Sequence, residues 1–211
     1  MAAREGVNLG DPGEVVGLLA RAAAANLECA LRRGSGVYLP PQGRVVMTGD
    51  LHDHAVNFRR LVRLAALADN PGHHLILHEV IHGGHLVNGR DLSARMLFRA
   101  AELKLRYPGQ VHLLASNHEL AQVRGEEILK GGASVIKGFD AGLEFMFGDA
   151  AQAVRQAIAG YVRSLPLAVV CPRGILCSHS LPSMHYLETF DATILDRVPN
   201  DRDLAPGGPA Y

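Results

Sequence analysis

Arg44-Val45-Val46-Met47-Thr48-Gly49-Asp50-Leu51-His52 is the stretch from which the rest of the chain is read. Arg44 to Thr48 is a β-branched run with the composition of a short buried strand. It leads directly into Asp50 and His52. Side chains two apart in an extended segment point the same way, so both could reach one ion just past the strand end. The pattern returns three times. His73 to Leu77 precedes His78-Glu79, Val111 to Ala115 precedes Ser116-Asn117-His118-Glu119, and Ile175 to Cys177 precedes Ser178-His179. Carboxylate, imidazole and amide groups hold hard or borderline divalent metals. Strand ends feeding loops are where α/β folds place their chemistry.

Between these runs the spacing turns helical. Ala55 to Ala68 carries Phe58, Leu61, Val62 and Ala65 at helical intervals and is stopped by Asn70-Pro71-Gly72. Leu92, Met96, Ala100 and Leu103 mark a second crossover helix, closed by Pro108-Gly109. Strand, helix, strand, helix, strand predicts a parallel sheet with helical crossovers. Before it, Asp11-Pro12 opens an amphipathic helix expected to end near Gly34, and Gly34 to Gly43 reads as a connector. After it come a helix from Asn117, an interruption at Gly131-Gly132 and a long alanine-rich helix over 145–164. Leu167 to Val170 and Ile175 to Cys177 then predict a hairpin turning at Cys171-Pro172-Arg173-Gly174. The tail from Asn200, rich in Asp, Pro and Gly, is expected to fray.

Composition narrows the class. A length of 211 residues, 48% of them hydrophobic, suits one folded domain. Lys+Arg and Asp+Glu balance at 21 each, which argues against an electrostatic nucleic-acid binder or an anionic-membrane binder. Cys29, Cys171 and Cys177 make a poor disulfide framework and fit a reducing compartment. Met1 to Gly10 holds no apolar signal core, and the apolar runs are broken by arginines, so the expectation is a cytoplasmic chain that does not enter a membrane. Histidine is abundant, 11 in all, and seven of these lie between His52 and His85. Their places at loop starts favour metal or acid–base chemistry. His112, alternating with apolar neighbours, reads as structural.

Two carboxylates, several imidazoles and an amide suit two adjacent divalent ions better than one closed structural zinc. At this point the chain resembles the calcineurin-like metallophosphoesterases, and within them the phosphoprotein phosphatase branch. That family carries G-D-x-H-G, then G-D-x-x-D-R-G, then G-N-H-E, then a lone histidine after a strand, then a final G-H. The corresponding text here is Gly49-Asp50-Leu51-His52-Asp53, His78-Glu79-Val80-Ile81-His82-Gly83-Gly84, Ser116-Asn117-His118-Glu119, and Leu176-Cys177-Ser178-His179, spanning residues 44–180. The resemblance implies a metallophosphoesterase sandwich of β-sheets flanked by helices, with a β-α-β-α-β core and a C-terminal β-hairpin. It implies two divalent ions (Mn, Fe or Zn), with Asp50 and His52 on the first, Glu79 bridging, and Asn117 and His179 on the second. His118 would be the general acid. The implied reaction is hydrolysis of a phosphate ester by a hydroxide held between the metals, and the implied partner is a phosphorylated small molecule, nucleotide or phosphoprotein.

The departures define the alternatives. His78-Glu79 stands for Gly-Asp, His82 for the carboxylate that orients the catalytic histidine, and Gly83 for the phosphate-gripping arginine. Asp53 and Ser116 stand for glycines. The final Gly-His has no match after His179, where only His185 remains. A C-terminally truncated domain or an incomplete second site would explain that, and a non-catalytic, metal-binding relative acting through a partner is the second reading. A third is a zincin-type protease, since His78-Glu79-Val80-Ile81-His82 also spells H-E-x-x-H. That chemistry needs both histidines on one helix face.

Overall fold

A computed structural model describes residues 6–181, 184 and 186–204. Helix α1, Pro12–Leu27, is capped by Asp11, whose carboxylate accepts from Glu14 N at 2.8 Å. Its buried stripe is Val15, Leu18, Leu19 and Ala22. It stops well short of Gly34, because the chain then folds into a hairpin. Strand β1, Arg32–Arg33, pairs with β2, Gly36–Tyr38, around Gly34 at φ 57°. The expected connector is therefore partly sheet. β2 is fixed by parallel pairing with residues 168–170, a partner that no local pattern reveals.

The crossover region follows the expectation closely. β3 (Arg44–Asp50), α2 (Ala55–Ala65) and β4 (His73–His78) come in turn. The small ribbon of β5 (Leu86–Val87) and β6 (Arg90–Asp91) precedes α3 (Ala94–Arg106) and β7 (Val111–Leu113). β3, β4 and β7 form a parallel three-stranded sheet in that order. The central strand β4 is buried on both faces, as parallel strands between layers are. β3 is an edge strand rather than a fully buried one, with Val45 and Met47 38% and 42% exposed.

α4 (Asn117–Arg124) follows, then the ribbon of β8 (Leu129–Lys130) and β9 (Ala133–Ser134), turned by Gly131 and Gly132. The alanine-rich helix is two helices. α5 (Val135–Phe147) and α6 (Ala151–Arg163) are separated by a 3-10 turn at Gly148–Ala150, where Gly148 takes φ 51°. α5 begins earlier than its apolar pattern because Ser134 caps it, accepting from Lys137 N. β10 (Ala168–Cys171) and β11 (Ile175–Ser178) form the expected hairpin and complete a four-stranded sheet in the order β1-β2-β10-β11.

The two sheets face one another through Ile76 and Leu114 on one side and Val37, Leu39 and Val169 on the other. The far face of the parallel sheet presents Leu75, Leu77, Val111 and Leu113 to α1, α3 and α6 in a larger core. This is the mixed α/β sandwich expected, with helices on its flank. Residues 200–204 are not frayed: Asp203 accepts from Arg197 Nη2 at 2.7 Å, and Leu204 is buried in the large core. The remainder of the tail and His185 lie outside the described residues. No helix among the described residues is long and apolar enough to cross a membrane.

Candidate metal centre

The ends of β3, β4 and β7 and the loop after β11 meet at one edge of the sandwich. β3 and β4 are in register up to Met47 opposite Ile76, then shift, so that Asp50 lies opposite His78. The shift costs the ladder a bond at His78 N, and Thr48 Oγ1 accepts it instead at 3.0 Å. Beyond the strands the first two loops lace together: His52 N donates to Glu79 O at 2.8 Å and Asp53 N to Val80 O at 3.0 Å. Glu119 is completely buried; its Oε1 accepts from Val80 N at 2.8 Å and Ile81 N at 3.3 Å, and its other oxygen accepts from the Ser116 hydroxyl. Glu119 thus ties the third cluster to the second, with both of its oxygens engaged.

Left-handed backbone concentrates here. His52, Asp53, Glu79 and His82 have φ of 41°, 59°, 39° and 57°. Non-glycine residues in this region cost free energy, and such residues cluster where function demands a fixed direction. Asp53 takes this conformation where the family pattern has glycine, the residue that adopts it at no steric cost.

The structure brings all six sequence-predicted residues together around Glu79. Glu79 Oε1 lies 3.1 Å from His52 Nε2 and 3.4 Å from His118 Nε2, while Oε2 lies 2.9 Å from His179 Nε2. His179 Nε2 is also 2.7 Å from Asn117 Oδ1, and its Nδ1 is 3.8 Å from Asp50 Oδ1. Two groupings result, Asp50 with His78 and His179, and His52 with Glu79 and His118; in each, one ligand atom per residue lies within 4.8 Å of the others. Burial pushes the Glu79 carboxyl up, but the hydrogen bond from His179 and the charges of His118 and His52 bring it below its ordinary value. The same hydrogen bond raises His179.

The donors suit cations. His52 Nδ1 sits 2.9 Å from the Ile81 carbonyl, which only accepts, so Nδ1 carries the proton. In the neutral ring, Nε2 then turns a lone pair toward the Glu79 carboxylate. That contact is favourable only with a cation between the two atoms, either a proton on the ring or a metal ion in its place. The residues present therefore fit divalent ions.

Behind His118 runs a polar chain. Its Nδ1 is 2.7 Å from His82 Nδ1, and His82 Nε2 is 2.8 Å from Gln122 Oε1. Gln122 Nε2 donates to Asp140 Oδ1 at 3.2 Å, and Arg155 Nε holds the same oxygen at 2.9 Å. Reading inward from Asp140, the Gln122 oxygen must accept from His82 Nε2–H. This leaves His82 Nδ1 as acceptor for His118 Nδ1–H. Burial holds His82 down at about 4, so this chain positions His118 through a neutral imidazole rather than a carboxylate.

Sequence reasoning missed three participants. His78 was part of a quoted cluster but had no role. Gln122 lies one turn after His118 on α4, a spacing that places it near whatever His118 meets. Lys130, whose Nζ is 3.3 Å from His52 Nε2, arrives on the β8–β9 ribbon, and nothing local in the sequence signals it. Arg59 does not join the cluster; it lines a cleft of about 1000 Å³ near Leu18, Phe58, Arg63 and Arg99. Residues 79–85 are not helical, so the face that a zincin signature requires does not form.

A family model described as calcineurin-like phosphoesterase matches residues 43–205. Among solved structures, a protein serine/threonine phosphatase from Saccharomyces cerevisiae with similarity to human phosphatase PP5 superposes with a TM-score of 0.62 at 19% identity, covering 90% of this chain and 56% of that one. That likeness is one of fold, and the chain spans just over half the length of that structure. No curated protein matches the chain.

Proposed function

This chain belongs to the calcineurin-like phosphoesterase family, and on that premise we propose that it hydrolyses a phosphate ester at a two-ion site. One observation carries the reading: the two oxygens of Glu79 face separate groups of imidazoles, Oε1 toward His52 and His118 and Oε2 toward His179. A carboxylate so placed could serve two divalent ions, with His52 on one side and Asn117 and His179 on the other; Asp50, expected beside His52, groups with His179 instead. Divalent ions bound there would lower the pKa of water and neutralise phosphoryl charge. Manganese, iron and zinc all suit mixed nitrogen and oxygen donors.

The protein side chains supply the rest. His118, as imidazolium, would give its Nε2 proton to the leaving oxygen and keep Nδ1–H on His82. Lys130, beside His52, offers the positive charge that the family places on the arginine replaced here by Gly83. The substrate is a phosphorylated molecule, and the absent arginine argues against assuming a Ser/Thr phosphoprotein. With no disulfide framework, a reducing, cytoplasmic setting is part of the proposal.

The second reading is a metal-binding relative that does not turn over substrate. The His82 chain favours it, because a neutral acceptor stabilises imidazolium less than a carboxylate does, and neutral His118 would present a lone pair as a ligand. His118→Asn separates the two. If His118 is the acid, turnover of p-nitrophenyl phosphate should fall by on the order of 100-fold or more with metal content unchanged. Loss of bound metal in the variant, or no wild-type turnover with manganese present, would support the second reading.

A further inference from the structure

We infer that His78 is a metal ligand, supplying an imidazole to the second ion alongside Asp50 and His179. The inference rests on the two-ion reading and deepens it. In the family pattern this position is glycine, which has no side chain to offer an ion.

Three observations converge on His78. It is 4% exposed, at the inner end of the central strand. Its Nε2 is buried and, among the described residues, has no hydrogen-bond partner. A ring nitrogen of His78 lies within 4.8 Å of both an Asp50 carboxylate oxygen and a ring nitrogen of His179. Its ring stands edge-on to that of His179, with centroids 5.7 Å apart.

Geometry gives the reason for its direction. The shift between β3 and β4 places Asp50 and His78 side by side at the strand ends. Thr48 Oγ1 takes the His78 N–H, so the backbone is satisfied while the ring is left unmatched. A buried imidazole with an unmet nitrogen carries an uncompensated desolvation cost, and a leucine there would carry none. Three ligand atoms sharing one ion, each about 2.1 Å from it, stand about 3.5 Å apart. The grouping, all within 4.8 Å, would close on a cation by contracting on the order of 1 Å. Glu79 Oε2 and Asn117 Oδ1 stand at the Nε2 end of the same His179 ring, 2.9 and 2.7 Å from it.

The test is zinc binding to the full chain, followed by calorimetry and by 15N-detected imidazole resonances, with His78→Gln for comparison. Wild-type protein should take up two ions, and the His78 ring nitrogen should shift with one of them. His78→Gln should weaken one site by on the order of 100-fold and leave the other in place. Two ions in both proteins at equal affinity, with the His78 resonance unmoved, would overturn the inference while leaving the two-ion reading intact. A wild-type chain that binds no zinc would remove both. Should the variant fail to fold, the wild-type resonance alone decides: a shift on zinc binding supports the assignment and its absence refutes it.

Discussion

Acid should destabilise the metal-free chain through His112, and the size of the effect can be worked from its surroundings. His112 sits on β7, 1% exposed, with Nε2 3.4 Å from His74 Nδ1. Burial, and then the charges of Lys104 and His74, hold it at about 3 against an ordinary 6.5. The unfolded chain takes up a proton below pH 6.5 that the folded chain refuses. This contribution is therefore complete above 6.5 and is lost as pH falls toward 3. Each pH unit within the window is worth about 1.4 kcal/mol, and the change from pH 7 to pH 5 integrates to about 2 kcal/mol. His82, held at about 4, loses a similar amount over the same interval. Together they would remove about 4 kcal/mol from a domain whose usual stability is only about 5–15 kcal/mol. Lys104, lowered to about 8, is protonated in both states below that pH and adds nothing to the slope. The assay is urea unfolding with chelator present, on wild type and His112→Leu, at pH 7 and pH 5. Comparing the two proteins cancels the titrating groups that do not interact with His112, leaving His112 with its neighbours His74 and Lys104. The advantage of wild type over the variant should shrink by about 2 kcal/mol at the lower pH. A difference that stays constant, or grows with acid, would refute the account of His112.

Two substitutions follow from the packing of the loops. Gly83→Arg, which restores the arginine of the family pattern, should destabilise by roughly 2 kcal/mol, since an added Cβ meets Asp53 Cβ at 2.7 Å. In an Asp53→Gly background the cost should largely disappear, because the clash goes and glycine accepts φ 59° freely; additive effects in a double-mutant cycle by thermal unfolding would contradict this. Glu119→Ala leaves Val80 N and Ile81 N without their acceptor, which should cost roughly 3 kcal/mol and weaken manganese binding. Unchanged manganese affinity in that variant would show that the second loop holds its shape without the latch.

The β-α-β-α-β core was legible because each strand and helix carries its own periodicity, from Arg44 through Leu113. The site was legible for the same reason: strands of one sheet end side by side, so Asp50, Glu79, Asn117 and His179 could be gathered from four places in sequence. What was hidden depends on distant partners. β2 is a strand only because β10 pairs with it. The long helix breaks at Gly148, a stop signal that the alanine-rich run on its far side masked. Val45 and Met47 read as buried but lie on an edge. His78 escaped a role because the resemblance supplied none for its position, and its direction is set by a register shift invisible in one strand alone. The H-E-x-x-H spelling misled in the opposite sense, since its chemistry depends on a helix and β4 ends in a left-handed turn at Glu79.

Metal content per chain tests the central claim most directly. Elemental analysis after manganese loading and removal of free ion should give two ions per chain, falling to one or fewer in Glu79→Gln. Wild-type protein that retains no ion, or a single ion indifferent to the loss of the Glu79 carboxylate, would contradict the bridged two-ion site.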